Sequence, residues 1–276
     1  MKKIVFMLTL LVATVGTEAK YWRIGPSSVA GMDFASINDA MSSSDVTKGD
    51  TLYLDQYYNE SAEQTVTKQV VIIGTGYDTS LTDEHVVARL TSTLHLKANG
   101  IIVKSVLLGV VYFYTDECTV ERCYMVSGVT KSTTAGLNHI YSCYVYDVSG
   151  YGSGNYSKGD VENCVICSYV KYLTSSIIRF NTILCSVSDY SMRYINNSNI
   201  SNNIILNSYS NDLDIGNDVY TSGSGNSIEH NLLSHKTSLS YYPTNKYGYG
   251  SKLSELFVLT GSYSDHYKLA EKSADD

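Results

Sequence analysis

The sequence is short of the features that mark most protein classes. Beyond residue 15 it has no run approaching the roughly 20 apolar residues of a membrane span, so no transmembrane segment is expected. It has no cluster of Lys and Arg, and its formal charge of −7 is spread along the chain. That argues against nucleic acid as a partner and against a polybasic or amphipathic segment lying on a membrane. The histidines show no His-x-His or His-x-x-x-His metal spacing; His230 and His235, five apart, are the nearest approach. Gly152-Ser153-Gly154 and Gly223-Ser224-Gly225 open no helix, so neither is a phosphate loop. Prolines number 2 and tryptophans 1, against 25 tyrosines. So much Tyr among abundant Ser and Asn points to extended, hydrogen-bonded structure with many short turns.

The one long apolar run, Ile4 to Val15, follows Lys2 and Lys3 and precedes Thr17-Glu18-Ala19, a small-x-small site. This predicts a secretory signal peptide over residues 1–19, cut before Lys20, and a secreted, periplasmic or cell-surface destination. No Cys follows the cut, so no lipid anchor is expected. Residues 20–276 are many for one globular core but ordinary for a solenoid, whose core grows along one axis. The predicted organisation is an N-terminal cap over 20–50 and a solenoid over 51–276.

Asp33 to Met41 predicts a helix near residues 33–42, with Asp33 as N-cap and Phe34, Ile37, Ala40 and Met41 on one face. Thr51-Leu52-Tyr53-Leu54 and Val70-Val71-Ile72-Ile73-Gly74 predict strands. Beyond residue 95 the motif apolar-x-x-Asn/Cys/Ser-x-apolar recurs. Its fourth place is taken by Ser105, Cys123, Cys143, Cys164, Asn181, Asn203 and Asn231, at spacings of 18, 20, 21, 17, 22 and 28. A strand-like period of about 20 indicates stacked coils that together close a core none could close alone. The apolar places point inward, and the Asn or Cys stacks at a bend where it satisfies backbone groups. Leucine-rich and calcium-binding nonapeptide repeats need residue patterns that are absent. The predicted fold is all-β: a single-stranded right-handed parallel β-helix of ~20-residue coils with an N-terminal capping helix. Cys123, Cys143 and Cys164 are expected as reduced, stacked thiols.

Asp33-Phe34-Ala35-Ser36-Ile37, Lys48-Gly49-Asp50-Thr51-Leu52-Tyr53-Leu54, Tyr58-Asn59-Glu60 and Val71-Ile72-Ile73-Gly74 resemble the opening of the pectate-lyase-like superfamily. There a capping helix leads into a Gly-Asp-Thr strand. The Asn/Cys motif is similar to the inter-coil ladders of that superfamily, and Phe257 to Ala274 resembles the closing segment of bacterial members, without its usual Pro. The resemblance implies the β-helix but no single activity, because this fold hosts lyases, hydrolases, esterases and non-catalytic adhesins.

The esterase and polygalacturonase patterns implied by that resemblance are missing. A lyase needs Ca²⁺ or an equivalent cation and a Lys or Arg base. Asp212, Asp214 and Asp218, in the longest gap between motifs, are candidate Ca²⁺ ligands by their oxygen content. Lys171, Arg179 and Arg193 are candidate bases by residue type, with Arg179 better explained by a surface ion pair to Glu162. Tyr124, Tyr144 and Tyr146 are expected to point outward together, a surface suited to sugar rings and hydroxyls. Two functions follow as expectations: a non-catalytic, adhesin-like protein binding polysaccharide or glycan on those tyrosines, or a small lyase or glycosidase acting on acidic polysaccharide.

Overall fold

A computed structural model describes residues 19–76, 87–132, 136–150, 156–185, 191–207 and 225–233, with a few isolated positions beyond. The chain is an all-β parallel solenoid with coils of about 21 residues and almost no helix. Ten strands stack into one continuous sheet, here face 1, running from Tyr21–Ile24 through Thr119–Glu121 and Ile177–Arg179 to Ser227–Glu229. The opposite wall opens with two short strands, Asn59–Glu60 and Gln64–Val66, both paired with Arg89–Leu96. It continues as single long strands, Arg89–Leu96, Leu107–Phe113 and Tyr124–Lys131, each paired in parallel with the next. In the following coil that wall divides. Tyr144–Val145 and Val148–Ser149 both pair with Tyr124–Lys131, giving a face 2 and a face 3 that persist through later coils.

The division is prepared by bulges in the long strands. The pairing slips between Leu90 and Thr93 and between Met125 and Gly128. A side chain at Gly109 would meet the Thr91 carbonyl oxygen at 2.4 Å, so the bend requires glycine there. Inward residues from Ile24 to Leu233 form one uninterrupted core along the axis.

At the bend between faces 1 and 2 a single residue takes left-handed backbone: Ser105, Arg122, Ser142, Asn163, Phe180, Asn202 and His230, with φ between 53° and 58°. That conformation turns the chain sharply, and the next residue points inward. The turned residue is followed by Val106, Cys123, Cys143, Cys164, Asn181, Asn203 and Asn231, all buried. Each polar member serves the coil before it. Asn181 Oδ1 accepts from Cys164 N at 2.9 Å while Asn181 Nδ2 donates to Val161 O at 2.8 Å. Asn203 does the same for Asn181 N and Ile178 O. Cys143 Sγ accepts from Cys123 N at 3.4 Å, and its one proton faces Tyr141 O of its own coil at 3.1 Å and Val120 O of the coil before at 3.5 Å. A thiol both gives and takes a hydrogen bond, which is why Cys and Asn share this place. None of the six cysteines is joined in a disulfide.

Two expectations need correction. The ladder place in the first repeat belongs to Val106. Ser105 is one residue early, because Val103 pairs with Val120 and Ser105 occupies the left-handed position of Arg122. The helix spans Ile37–Ser42, with Ser36 as N-cap accepting from Asp39 N. Asp33 instead accepts from Arg23 N at 2.7 Å, and Phe34 bridges to Ile24 as extended chain. Proximity to the first strand thus overrides the local capping signal. The helix still buries Ile37, Ala40 and Met41. Asn38 Oδ1 accepts from Thr65 N at 2.8 Å, closing a strand edge that no preceding coil covers.

A second ladder, not anticipated from the sequence, lines the bend between faces 3 and 1. Asn138 Oδ1 takes Cys118 N at 2.8 Å, Ser176 Oγ takes Gly159 N at 2.9 Å, and Asn226 Oδ1 takes Ser198 N at 2.9 Å. Gly159 leaves its own place in the column empty. The Lys131 ammonium fills it, lying 2.7 Å from where a Gly159 side chain would begin and donating to Lys158 O. Burial drives the Lys131 ammonium down to about 7, against the pull of Asp160, Cys118 and Asp116.

Replacing Asn203 with Leu strands the Asn181 N–H, the Asn181 amide and the Ile178 carbonyl, and should cost about 3 kcal/mol or more in urea unfolding. Cys143→Asn, which keeps a donor and an acceptor, should stay within about 1 kcal/mol of the parent by the same comparison of hydrogen bonds. Lys131 gives a pH signature. With its folded pKa depressed, the unfolded chain binds the extra proton between about 7 and the normal Lys value. Stability relative to Lys131→Met should then rise by about 1.4 kcal/mol per pH unit above pH 7; a flat difference between pH 7 and 9 would remove this assignment.

Candidate functional site

Face 2 carries alternate residues into the core and out to solvent. Met125 and Val145 are fully buried, so Tyr124 and Tyr144 between them and the bend point outward. The two are neighbours in register and stack at 4.5 Å between ring centroids with an interplanar angle of 5°. Leu107 lies beside them on one side and Val165 on the other. Stacking along the solenoid axis covers one face of each ring with the other ring. The pair therefore offers edges, hydroxyls and its outer faces. Burial pushes up both the Tyr124 hydroxyl and the Cys167 thiol, and Tyr144 is a hydrogen-bond partner of each. Tyr146, two residues on and just beyond the strand Tyr144–Val145, is 42% exposed. Two of the three tyrosines expected to share a face, Tyr124 and Tyr144, stack on it, and Tyr146 lies exposed just past the strand end.

The chain turns after Tyr146 into face 3, and the corner holds a second group that sequence reasoning did not assemble. Val148 pairs with Val170, Ser149 with Lys171, and Lys171 in turn with Arg193. Lys171 and Arg193 thus stand one coil apart in a single outward column. Lys171 Nζ lies 3.5 Å from the centroid of the Tyr169 ring, and Arg193 Cζ 4.6 Å from that of Tyr194, both within cation–π range. Tyr172 and Tyr194 stack at 5.0 Å and 4°, and both have left-handed backbone with φ of 56°. Asp147 sits at the corner between the two groups. Burial raises its carboxyl to about 6, opposed by a hydrogen bond from Tyr169 and the nearby Lys171 charge. Gly128 makes the room: a side chain there would come within 2.4 Å of Asp147 Oδ1.

A signal for this corner was present in the sequence. Val170-Lys171-Tyr172-Leu173 and Met192-Arg193-Tyr194-Ile195 repeat the pattern apolar-basic-Tyr-apolar. Their separation matches that of Asn181 and Asn203. The repeat is hidden because the Asn and Cys residues that mark the period most clearly belong to the other bend.

Arg179 stands apart on face 1, its Nε 2.6 Å from Glu162 Oε2, so the expected ion pair is formed and two of the three candidate bases come together. Face 1 also holds Lys104 with Glu121 at 2.8 Å, and His139 between the Tyr141 hydroxyl at 2.9 Å and Asp160 at 3.3 Å. Burial, then Glu162 and Asp160, push the Tyr141 hydroxyl up. Asp212, Asp214, Asp218 and His235 lie outside the described residues. Among the described residues no three His, Cys, Asp or Glu side chains gather as a metal site, and no helix is long and apolar enough to cross a membrane. Comparison with protein-family models, with curated proteins and with solved structures returned no match.

The corner makes a measurable statement about Asp147. Its carboxyl should titrate near 6 by carbon-detected NMR, and Tyr169→Phe, which removes the opposing hydrogen bond, should raise it further. Because this folded pKa is raised, stability falls as pH climbs from about 4 through 6. Asp147→Asn should abolish that fall.

Proposed function

We propose that the chain is an exported β-helix of the pectate-lyase-like class that binds polysaccharide or glycan, adhesin-like and without turnover. The observation that supports this best is the continuity of one outward strip. Tyr124, Tyr144 and Tyr146 run into the corner with Tyr169, Lys171, Tyr172, Arg193 and Tyr194. Tyrosine hydroxyls and ring edges suit the hydroxyl-rich rim of a sugar, and the open ring of Tyr146 suits its apolar face. Most of these rings are already ordered by packing on one another, so little side-chain entropy is lost on binding.

A second reading, a lyase or glycosidase acting on acidic polysaccharide, is favoured by one specific feature. Asp147, with its raised carboxyl, stands beside Tyr169 and Lys171, and Arg193 follows one coil later. A cation to hold a uronate carboxylate and groups able to move the neighbouring proton are the elements of β-elimination. Ca²⁺ belongs to this reading through Asp212, Asp214 and Asp218.

A glycan array followed by calorimetry tests the first reading. Binding should fall in the range of roughly 10 µM to 1 mM and should survive chelators. The double variant Tyr144→Ala, Tyr146→Ala should lose it while circular dichroism stays unchanged. A double variant that binds like the parent would refute the tyrosine strip. Release of unsaturated uronides, lost in Lys171→Ala or in Asp214→Ala with Ca²⁺ present, would replace binding by catalysis.

A further inference from the structure

The Gly-Asp-Thr turn at the start of the solenoid holds a buried charge whose partner the first strand can supply. Gly49, with φ of 94°, turns the chain so that Asp50 points into the end of the core, where it is fully buried. Asp50 Oδ2 accepts from the Trp22 indole at 2.9 Å and from Thr47 N at 2.8 Å. Its other oxygen accepts from the backbone nitrogen of Lys20 at 2.8 Å. Lys20 is itself fixed, because its carbonyl accepts from Thr51 N at 2.8 Å and the first strand begins at the next residue. These hydrogen bonds outweigh the effect of burial and hold the Asp50 carboxyl below its usual range. The Thr47 hydroxyl is a further partner, yet every one of these donors is neutral. Among the described residues no Lys, Arg or His side chain forms an ion pair with Asp50, so the site holds an anion that a cation can still join.

We infer that cleavage between Ala19 and Lys20 completes the fold, by turning the Lys20 nitrogen into an α-ammonium that pairs with Asp50. The sequence places a small-x-small cleavage site at Thr17-Glu18-Ala19, and the structure independently seats the next nitrogen on a buried anion. Ala19 and Lys20 are both exposed, so the bond is open to an endopeptidase. Hydrolysis breaks the Ala19 C–N bond. Water supplies the hydroxyl of the new Ala19 carboxyl and a proton to the leaving nitrogen, which takes a second proton from solvent. The nitrogen need not move. The bond to Asp50, in which only the acceptor is charged, becomes an ammonium–carboxylate pair in which both partners are. The leader and the finished coil are therefore mutually exclusive owners of this charge.

Four proteins test the inference: the chain beginning at Lys20 with a free amine, the same chain with one added N-terminal Gly, and each of these with Asp50→Asn. The free-amine chain should melt about 2–4 °C above the Gly-extended chain, and Asp50→Asn should erase the difference. Nitrogen-detected NMR should find the Lys20 α-amine titrating about one unit or more above the ordinary 7.7–8.0. Intact mass of the protein exported under its own leader should correspond to a start at Lys20. Equal melting of the two Asp50 proteins, an α-amine titrating normally, or a start elsewhere would each overturn the inference. Should Asp50→Asn fail to fold, the α-amine titration in the Asp50 protein decides alone.

Discussion

The structure depends on what happens to backbone N–H and C=O groups where a coil leaves one face for the next. Along the faces, parallel strands satisfy each other. At the bends the left-handed residue breaks that ladder, and the groups beside it would be buried without partners at a cost of about 1–3 kcal/mol each. Side chains of the following coil take over. Asn181, Asn203 and Asn231 do this with an amide, and Cys143 and Cys164 with a thiol. At the opposite bend Asn138, Ser176, Ser198 and Asn226 play the same part. The apolar core fills the interior, but these columns set the register in which it stacks.

The fold was legible because this demand recurs at a near-constant spacing. An inward polar residue flanked by apolar ones at a period of about 20 has few other physical explanations. The period alone could not fix the phase where the ladder place is apolar. Val106 carries no hydrogen-bonding group, so the neighbouring Ser105 looked like the better member. Helix capping misled for a related reason: Asp33 is a good N-cap by type, but the Arg23 amide in an adjacent strand competes for its carboxylate. Neither the division of one wall into two faces nor the second ladder has a strong local signature. Both arise from bulges and from contacts between coils.

The candidate site was legible in part for the same reason. Alternation along a strand predicts which side of the wall a tyrosine takes, and Tyr124 and Tyr144 follow it. What alternation cannot give is the relation between faces. Asp147 became visible only when the corner after Tyr146 brought it against Tyr169 and Lys171. Ring stacking was also outside the reach of pattern. A column of tyrosines one coil apart spends ring faces on its own members, as the 4.5 Å and 5.0 Å pairs show, so the chemistry presented outward is that of edges, hydroxyls and cations.

The ladders also have a direction. Asn181 serves Cys164 and Val161, Asn203 serves Asn181 and Ile178, and Asn231 serves Asn203 and Ile200. In every case the side chain belongs to the later coil and the satisfied backbone to the earlier one. At this bend a coil is finished by its successor, although Asp160 on face 1 serves the later coil by accepting from Ile177 N. For a chain delivered amino end first, the Asn column at the growing tip therefore waits for the next coil, while the column behind it is already sealed.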